Sequence, residues 1–360
     1  MHRTVIYGLV TERLSERKCS VNDREGVCGI LLTNTGTPAK PTPRAVRKYL
    51  ARFLMDKHVV LMNRFIWWFI LHLAILPKRG QATAEKYAQI WQESGSPFLT
   101  AHEKLVHGIA AAFQEETELG PIEVRCGMNY GKPSITGALR ELKAAGCTRL
   151  VVLPLYPQSA HSTTEAAIAQ VRKSLHRVFW HPPVDFIENY HDHPTYIKAI
   201  AAAAKHAGFD PHSDDQLLLS FHSIPLEHIE AGDTYELQVG ETVLAITDEL
   251  GLERKRWTLG YQSPFGDPRK WLQPFSIDIL TRWGEIGVKT VYFVCPGFSV
   301  DCLETLYDIP SELEPAYRNT YAAKAPEKQQ GKFVYVPCLD RSKAQVRVLT
   351  DVIRPHIKGV

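Results

Sequence analysis

The sequence predicts an α/β fold made of two similar lobes, each a parallel sheet flanked by helices. Three observations carry that expectation. The chain has 360 residues, beyond the size at which a single core keeps growing and closer to two domains of roughly 100–200 residues. Short apolar runs that read as buried strands alternate with stretches of helical apolar spacing, the pattern of a parallel, helix-flanked sheet. The pattern breaks at Pro182-Pro183 and then restarts. The expected organisation is therefore a poorly ordered extension over 1–25, a first lobe over 26–183 and a second over 184–360.

Residues 29–32 form the first expected strand, ending in a Thr-Gly-Thr-Pro turn at 35–38. The spacing of Val46, Leu50, Phe53 and Leu54 predicts a helix over 44–54. Strands follow at 124–128 and 150–155, with a helix at 135–145 between them. After the double proline come strands at 184–187, 216–220, 257–262, 290–294 and 333–336, separated by helices at 194–207, 236–250, 271–283 and 302–309. The lobes echo one another faintly. Leu31, Leu32 and Pro38 align with Leu218, Leu219 and Pro225, and the run from Cys147 to Glu165 resembles that from Val288 to Thr305, as a duplicated unit would. Duplication puts a ligand between pseudo-symmetric halves.

Composition narrows the function. With 44% apolar and 22% charged residues and a net charge of +3, the chain reads as soluble and globular, with no nucleic-acid partner. Seven cysteines without a C-x-x-C pair argue against a disulfide framework and fit a reducing, cytoplasmic setting. The acidic residues among the first 25 fit neither a secretory signal nor a transit peptide. One apolar run, 65–76, is too short for a bilayer, which takes about 20 such residues. It reads either as a buried core helix or, with Arg64, Lys78 and Arg79 flanking Trp67 and Trp68, as an interfacial lip.

Two motifs carry chemistry. Ser220-Phe221-His222-Ser223-Ile224-Pro225 follows one expected strand, and Asp301-Cys302-Leu303-Glu304-Thr305-Leu306-Tyr307-Asp308 follows another. Carboxyl ends of parallel strands open into the ligand crevice, so both motifs face one shared site. His222 offers a base of reference pKa about 6.5. Glu304 and Asp308, four residues apart, put two carboxylates on one helix face, suited to a divalent cation or to protons. A capping box, with Asp301 as N-cap and Glu304 three residues on, is the structural alternative. Tyr130 and His161 stand on the first lobe's rim. No dinucleotide fingerprint, P-loop, H-E-x-x-H or G-x-S-x-G element occurs. Aromatics near strand ends, among them Tyr156, Trp271 and Phe298, suffice to enclose a flat apolar ligand.

From about residue 29 to 340 the chain resembles the ferrochelatases, enzymes that insert ferrous iron into a porphyrin to make haem. The resemblance rests on the Thr-Gly-Thr-Pro turn at 35–38, Ala-Val-Arg-Lys-Tyr-Leu at 45–50, Gly-Ser-Pro at 95–97, Pro-Leu-Tyr-Pro-Gln at 154–158, Ser-Thr-Thr at 162–164, Ser-x-His at 220–222, Gly-Asp at 232–233, Gln-Ser at 262–263, Trp-Leu at 271–272, Pro-Gly-Phe at 296–298 and residues 301–306. It implies two Rossmann-like lobes with the porphyrin cleft between them. It also implies a catalytic pair, His222 and Glu304, with Asp308 joining them on the metal path. Arg79, Tyr87, Ser96 and Tyr130 are similar to residues around the porphyrin edge and propionates, Trp271 and Phe298 to cleft-wall aromatics. The run 65–76 is similar to a lip that touches the bilayer in membrane-associated members.

The implied reaction is a lyase-type insertion of Fe(II) into protoporphyrin IX with release of two protons and no tightly bound cofactor. No cysteine cluster follows Cys338, so no iron–sulfur centre is expected. The chain departs from the family pattern at Thr35, Asn129, Thr234 and Pro264. Asn129 replaces an arginine before Tyr130, and a neutral amide lacks the bidentate charged fork that recognises a carboxylate. Two alternatives stay open: a chelatase for coproporphyrin III or another tetrapyrrole, and a non-catalytic porphyrin or haem carrier. A carrier needs neither the base nor the acidic ladder.

Overall fold

The computed structural model describes residues 26–324, 331–340 and 342–358. The extension expected over 1–25 lies outside the described residues. The first half runs through β1 (Val27–Asn34), α1 (Pro43–Leu54), α2 (Arg64–Phe69), a π-helical stretch (Ile70–Ile75), α3 (Leu76–Ile90), α4 (Pro97–Gln114), β2 (Ile122–Met128), α5 (Ile135–Ala144), β3 (Cys147–Pro154), α6 (Ala166–Arg177) and β4 (Val184–Phe186). The second half runs through α7 (Pro194–His206), β5 (Gln216–His222), α8 (Leu226–Glu230), α9 (Tyr235–Glu249), β6 (Trp257–Gln262), α10 (Ser276–Ile286), β7 (Thr290–Val294), a second π-helical stretch (Glu304–Leu313), α11 (Glu314–Lys324), β8 (Lys332–Val336) and α12 (Lys343–Lys358).

The strands form two four-stranded parallel sheets with the same connectivity, β2-β1-β3-β4 and β6-β5-β7-β8. The echo in sequence is thus an echo in topology. Leu31 and Leu32 sit on the central strand of one sheet, Leu218 and Leu219 on that of the other, and all four are fully buried. Burial on both faces explains why these strands read as continuous apolar runs. Their period of two sends Leu31 to a core with Leu139 and Leu142 of α5, and Ile30 and Leu32 to the opposite face with Leu105 and Ile109 of α4. β3 and β7 also both lead into π-helical turns, His161–Glu165 and Glu304–Leu313.

One buried cluster is continuous across both sheets, joining Ile30 and Leu32 to Leu217 and Leu219 and to Val348 and Ile353 of α12. α12, from the far end of the chain, packs on α4 and α7. Two expected helices differ. The one placed at 271–283 begins at Ser276, because Pro274 disfavours helix in the residue before it; Trp271 remains in a loop and bridges to Pro225. The one placed at 302–309 is π-helical and extends to Leu313 with Pro310 inside it.

Candidate active site

A cavity of about 1000 Å³ opens at the carboxyl ends of the sheets and takes its walls from both halves of the chain. Eight side chains singled out from the sequence line it together: Arg79, Tyr87, Ser96, His222, Trp271, Phe298, Glu304 and Asp308. Tyr130 stands behind the wall. It is buried, its hydroxyl donates to Asp56 Oδ2 at 3.0 Å, and its ring packs on Phe53, which does line the cavity.

His222 ends β5. Its Nδ1 lies 2.6 Å from the Ser223 carbonyl oxygen. A carbonyl only accepts, so Nδ1 carries the proton and Nε2 keeps the lone pair. The backbone beneath is fixed: the Tyr235 hydroxyl donates to the His222 carbonyl at 3.0 Å, and the Ser223 N–H donates to Gln262 O at 2.9 Å.

The acidic segment differs from a capping box. Asp301 Oδ1 accepts from the Thr305 hydroxyl at 2.8 Å and from the Tyr335 hydroxyl at 2.6 Å, and no side chain caps the helix start. Glu304 and Asp308 then face the cavity with Glu312. A π-helix at this position fits the tendency of that rare geometry to occur at functional sites. Burial pushes the Asp308 carboxyl above its usual range, the Glu304 charge adds to this, and Lys86 opposes it. Lys86 Nζ lies 2.9 Å from both Asp308 and Glu312. Burial works against the ammonium, but these two hydrogen bonds outweigh it and its pKa is raised. Ser263, at φ 58°, donates to Asp308 Oδ2 at 3.2 Å.

On the wall facing the loop 263–271, the Arg79 guanidinium lies 3.5 Å from the centre of the Phe265 ring, a cation–π contact. Trp271 Nε1 donates to Phe265 O at 2.7 Å, which fixes that loop. Burial holds the Tyr87 hydroxyl well above its usual pKa, and the nearby Glu304 charge reinforces this. Lys86 and Phe265 were not legible in the sequence, and Ser263 stood out only within the Gln-Ser match, with no role attached: Lys86 and Asp308 are 222 positions apart, and no local pattern marks a lysine that crosses a cleft.

The run 65–76 is buried on one side and exposed on the other. Trp67 and Leu71 are buried, and Trp67 Nε1 donates to Leu54 O at 2.7 Å. Phe65, Ile66, Trp68, Phe69 and Leu73 are exposed, Phe65 at 73% and Leu73 at 71%. Arg64 is spent on loop carbonyls, those of Met55, Val60 and Met62. No helix among the described residues is long and apolar enough to cross a membrane.

Comparison with known proteins fits this geometry. The ferrochelatase family profile matches residues 27–357. Ferrochelatase from Nitrosococcus oceani is 39% identical over 92% of this chain and 87% of its own length. That from Aromatoleum aromaticum is 40% identical over 91% and 87%, and that from Yersinia enterocolitica 36% over 93% and 99%. Among solved structures, SirB from Bacillus subtilis, determined with Fe3+, superposes with a TM-score of 0.54 over 91% of this chain and 94% of its own, at 10% identity. That likeness is one of fold.

Proposed function

The chain belongs to the ferrochelatase family, enzymes that insert metal into a porphyrin, and from that premise we propose that it inserts Fe(II) into protoporphyrin IX with His222 as proton acceptor. One observation carries the assignment of His222: its Nδ1–H is tied to the Ser223 carbonyl, which leaves Nε2 basic on a side chain lining the cavity. Insertion must remove two pyrrole protons and bend a stiff macrocycle so that nitrogen lone pairs meet the ion. An imidazole held in one tautomer accepts a proton without first reorienting. Glu304 shares the resulting charge, and Asp308 and Glu312 continue the carboxylate row along which protons leave or iron arrives. Imidazole and carboxylate both suit Fe(II). The rigid aromatic walls, with Trp271 and Phe298, favour the bent macrocycle over the flat one.

Protoporphyrin rather than coproporphyrin is supported by charge and by polarity. Protoporphyrin carries two carboxylates and coproporphyrin four. Among the described cavity-wall cations, Lys86 and Arg269 are paired with acids, whereas Arg79 stacks on Phe265 and Lys270 makes no ion pair among the described residues, which leaves two cations for two carboxylates. Wall residues Met62 and Trp67 join the cavity to the exposed apolar lip, a suitable entry for a porphyrin delivered from a membrane surface. The test is an anaerobic assay with Fe(II) and either porphyrin, following loss of porphyrin fluorescence and gain of haem absorbance, beside His222→Ala. Turnover on protoporphyrin that vanishes in the variant is expected. Faster turnover on coproporphyrin would overturn the substrate, and porphyrin binding without turnover would favour a carrier.

A further inference from the structure

The wall segments at 160–163 and 224–227 cover a second cluster that the reaction does not use. His161, at the start of the π-helical turn after β3, meets His228 of α8 and Asp233 of the turn that follows it. One ligand atom from each lies within 4.8 Å of the others. The three residues do not line the cavity, although their neighbours Ser162 and Glu227 do.

We propose that His161, His228 and Asp233 bind a divalent first-row transition ion that clamps the β3 loop of the first half to the α8 turn of the second. Two imidazoles and a carboxylate form a donor set suited to Zn(II) or Fe(II). The strongest independent sign is His228: it is fully buried, and neither ring nitrogen has a hydrogen-bond partner. The Val59 backbone approaches the ring without hydrogen-bond geometry. Leaving such a group unmatched inside a protein is destabilising, and a bound ion would satisfy one nitrogen. Burial also lowers the His228 pKa, against the opposing pull of the Asp233 and Glu227 charges.

The other two ligands are already oriented. His161 Nδ1 lies 3.8 Å from Asp233 Oδ2, too long for a hydrogen bond. It is near the ligand–ligand edge of a tetrahedral site, about 3.4 Å for bonds of about 2.1 Å. The opposite nitrogen, Nε2, lies 3.4 Å from Glu165 Oε1 without a hydrogen bond, a distance from which a small side-chain rotation would give the carboxylate–histidine arrangement that fixes metal ligands from behind. Asp233 is held by the backbone N–H groups of His161 at 2.7 Å and Tyr235 at 2.9 Å. Tyr235 in turn donates to the His222 carbonyl, so an ion here would stiffen the support of the base.

The test uses the full chain carrying His222→Ala and Glu304→Gln, which silences the substrate's own metal route. After treatment with chelator, Co(II) is titrated in, followed by visible d–d absorption and equilibrium binding, and Zn(II) by thermal melting. One equivalent of Co(II) that disappears on His161→Ala, with a Zn(II)-dependent rise in Tm that disappears with it, is expected. His228→Leu should do the same; if that buried change unfolds the chain, His161→Ala, at a partly exposed position, decides. Co(II) binding of unchanged stoichiometry in His161→Ala, or none at all in the silenced chain, overturns the site.

Discussion

Lys86 Nζ lies 2.9 Å from Asp308 Oδ1, a contact that joins α3 of the first half to the π-helix of the second across the cavity. The same ammonium reaches Glu312. The carboxylate row is thus partly neutralised by the protein itself, and any cation moving along it competes with a lysine.

Replacing that lysine should strengthen metal binding. With Lys86→Met, loss of a half-buried competitor is worth roughly 1 kcal/mol after discounting for solvent screening, so the KM for Fe(II) should fall about fivefold. Asp308, raised by burial and no longer opposed by Lys86, should then stay protonated to higher pH. The decline of metal affinity on acidification should begin at higher pH in the variant. Steady-state KM measured against pH checks both, and an unchanged KM would mean that Asp308 is off the metal path.

Arg79 offers a test of porphyrin carboxylate recognition. A charged hydrogen bond is worth about 1.5–3 kcal/mol, and Arg79 is exposed although its guanidinium packs on Phe265, so Arg79→Ala should raise the porphyrin KM by about tenfold with little change in kcat. The parent and variant should converge when the porphyrin carboxylates are esterified. A difference that survives esterification would assign Arg79 to packing on Phe265 alone.

The paired tryptophans should separate. Trp67 is buried and hydrogen-bonded to Leu54 O, so Trp67→Ser should cost about 3–5 kcal/mol, as truncating a buried ring does, and lower Tm sharply. Trp68 is 44% exposed, so Trp68→Ser should change stability by less than about 0.5 kcal/mol and weaken flotation with anionic vesicles. Flotation equal to the parent's would remove the lip from any membrane contact.

Acid stability should depend on His102. The ring is buried; Nδ1 donates to Phe98 O at 2.6 Å and Nε2 accepts from Asn34 Nδ2 at 3.1 Å. Burial lowers its pKa to about 4, against about 6.5 in the unfolded chain. Between those values the unfolded state binds the extra proton, so stability rises with pH. The contribution is complete above about 6.5 and is lost as pH falls toward 4, to a total of about 3 kcal/mol at most. Urea unfolding across that window should show a shallower pH slope in His102→Gln, and an unchanged slope would place the acid lability elsewhere.

Much of the fold was legible because its signals are local. The runs at β1 and β5 are apolar on both faces, the alternation of strand and helix dictates a parallel sheet, and the repeated Leu-Leu pair anticipated two sheets of like connectivity. Helices α3, α4, α6, α8, α11 and α12 drew no expectation, and the helix expected at Trp271 was displaced by Pro274. Of the site, the residues at strand ends were legible, since strand carboxyl termini face the crevice whatever the rest of the chain does.

By itself, then, the sequence determined the two-sheet plan, the family, and a histidine and acidic row at strand ends. Only tertiary structure decided that Lys86 meets Asp308, that Trp67 is structural while Trp68 is exposed, that Asp301 binds Tyr335 instead of capping its helix, and that His161 meets His228 and Asp233. The reason is physical. Periodicity and turn chemistry act within a few residues and leave a trace in the order of amino acids, whereas a contact between groups far apart in the chain depends on how helices pack and how their side chains are aimed, and no local pattern encodes it.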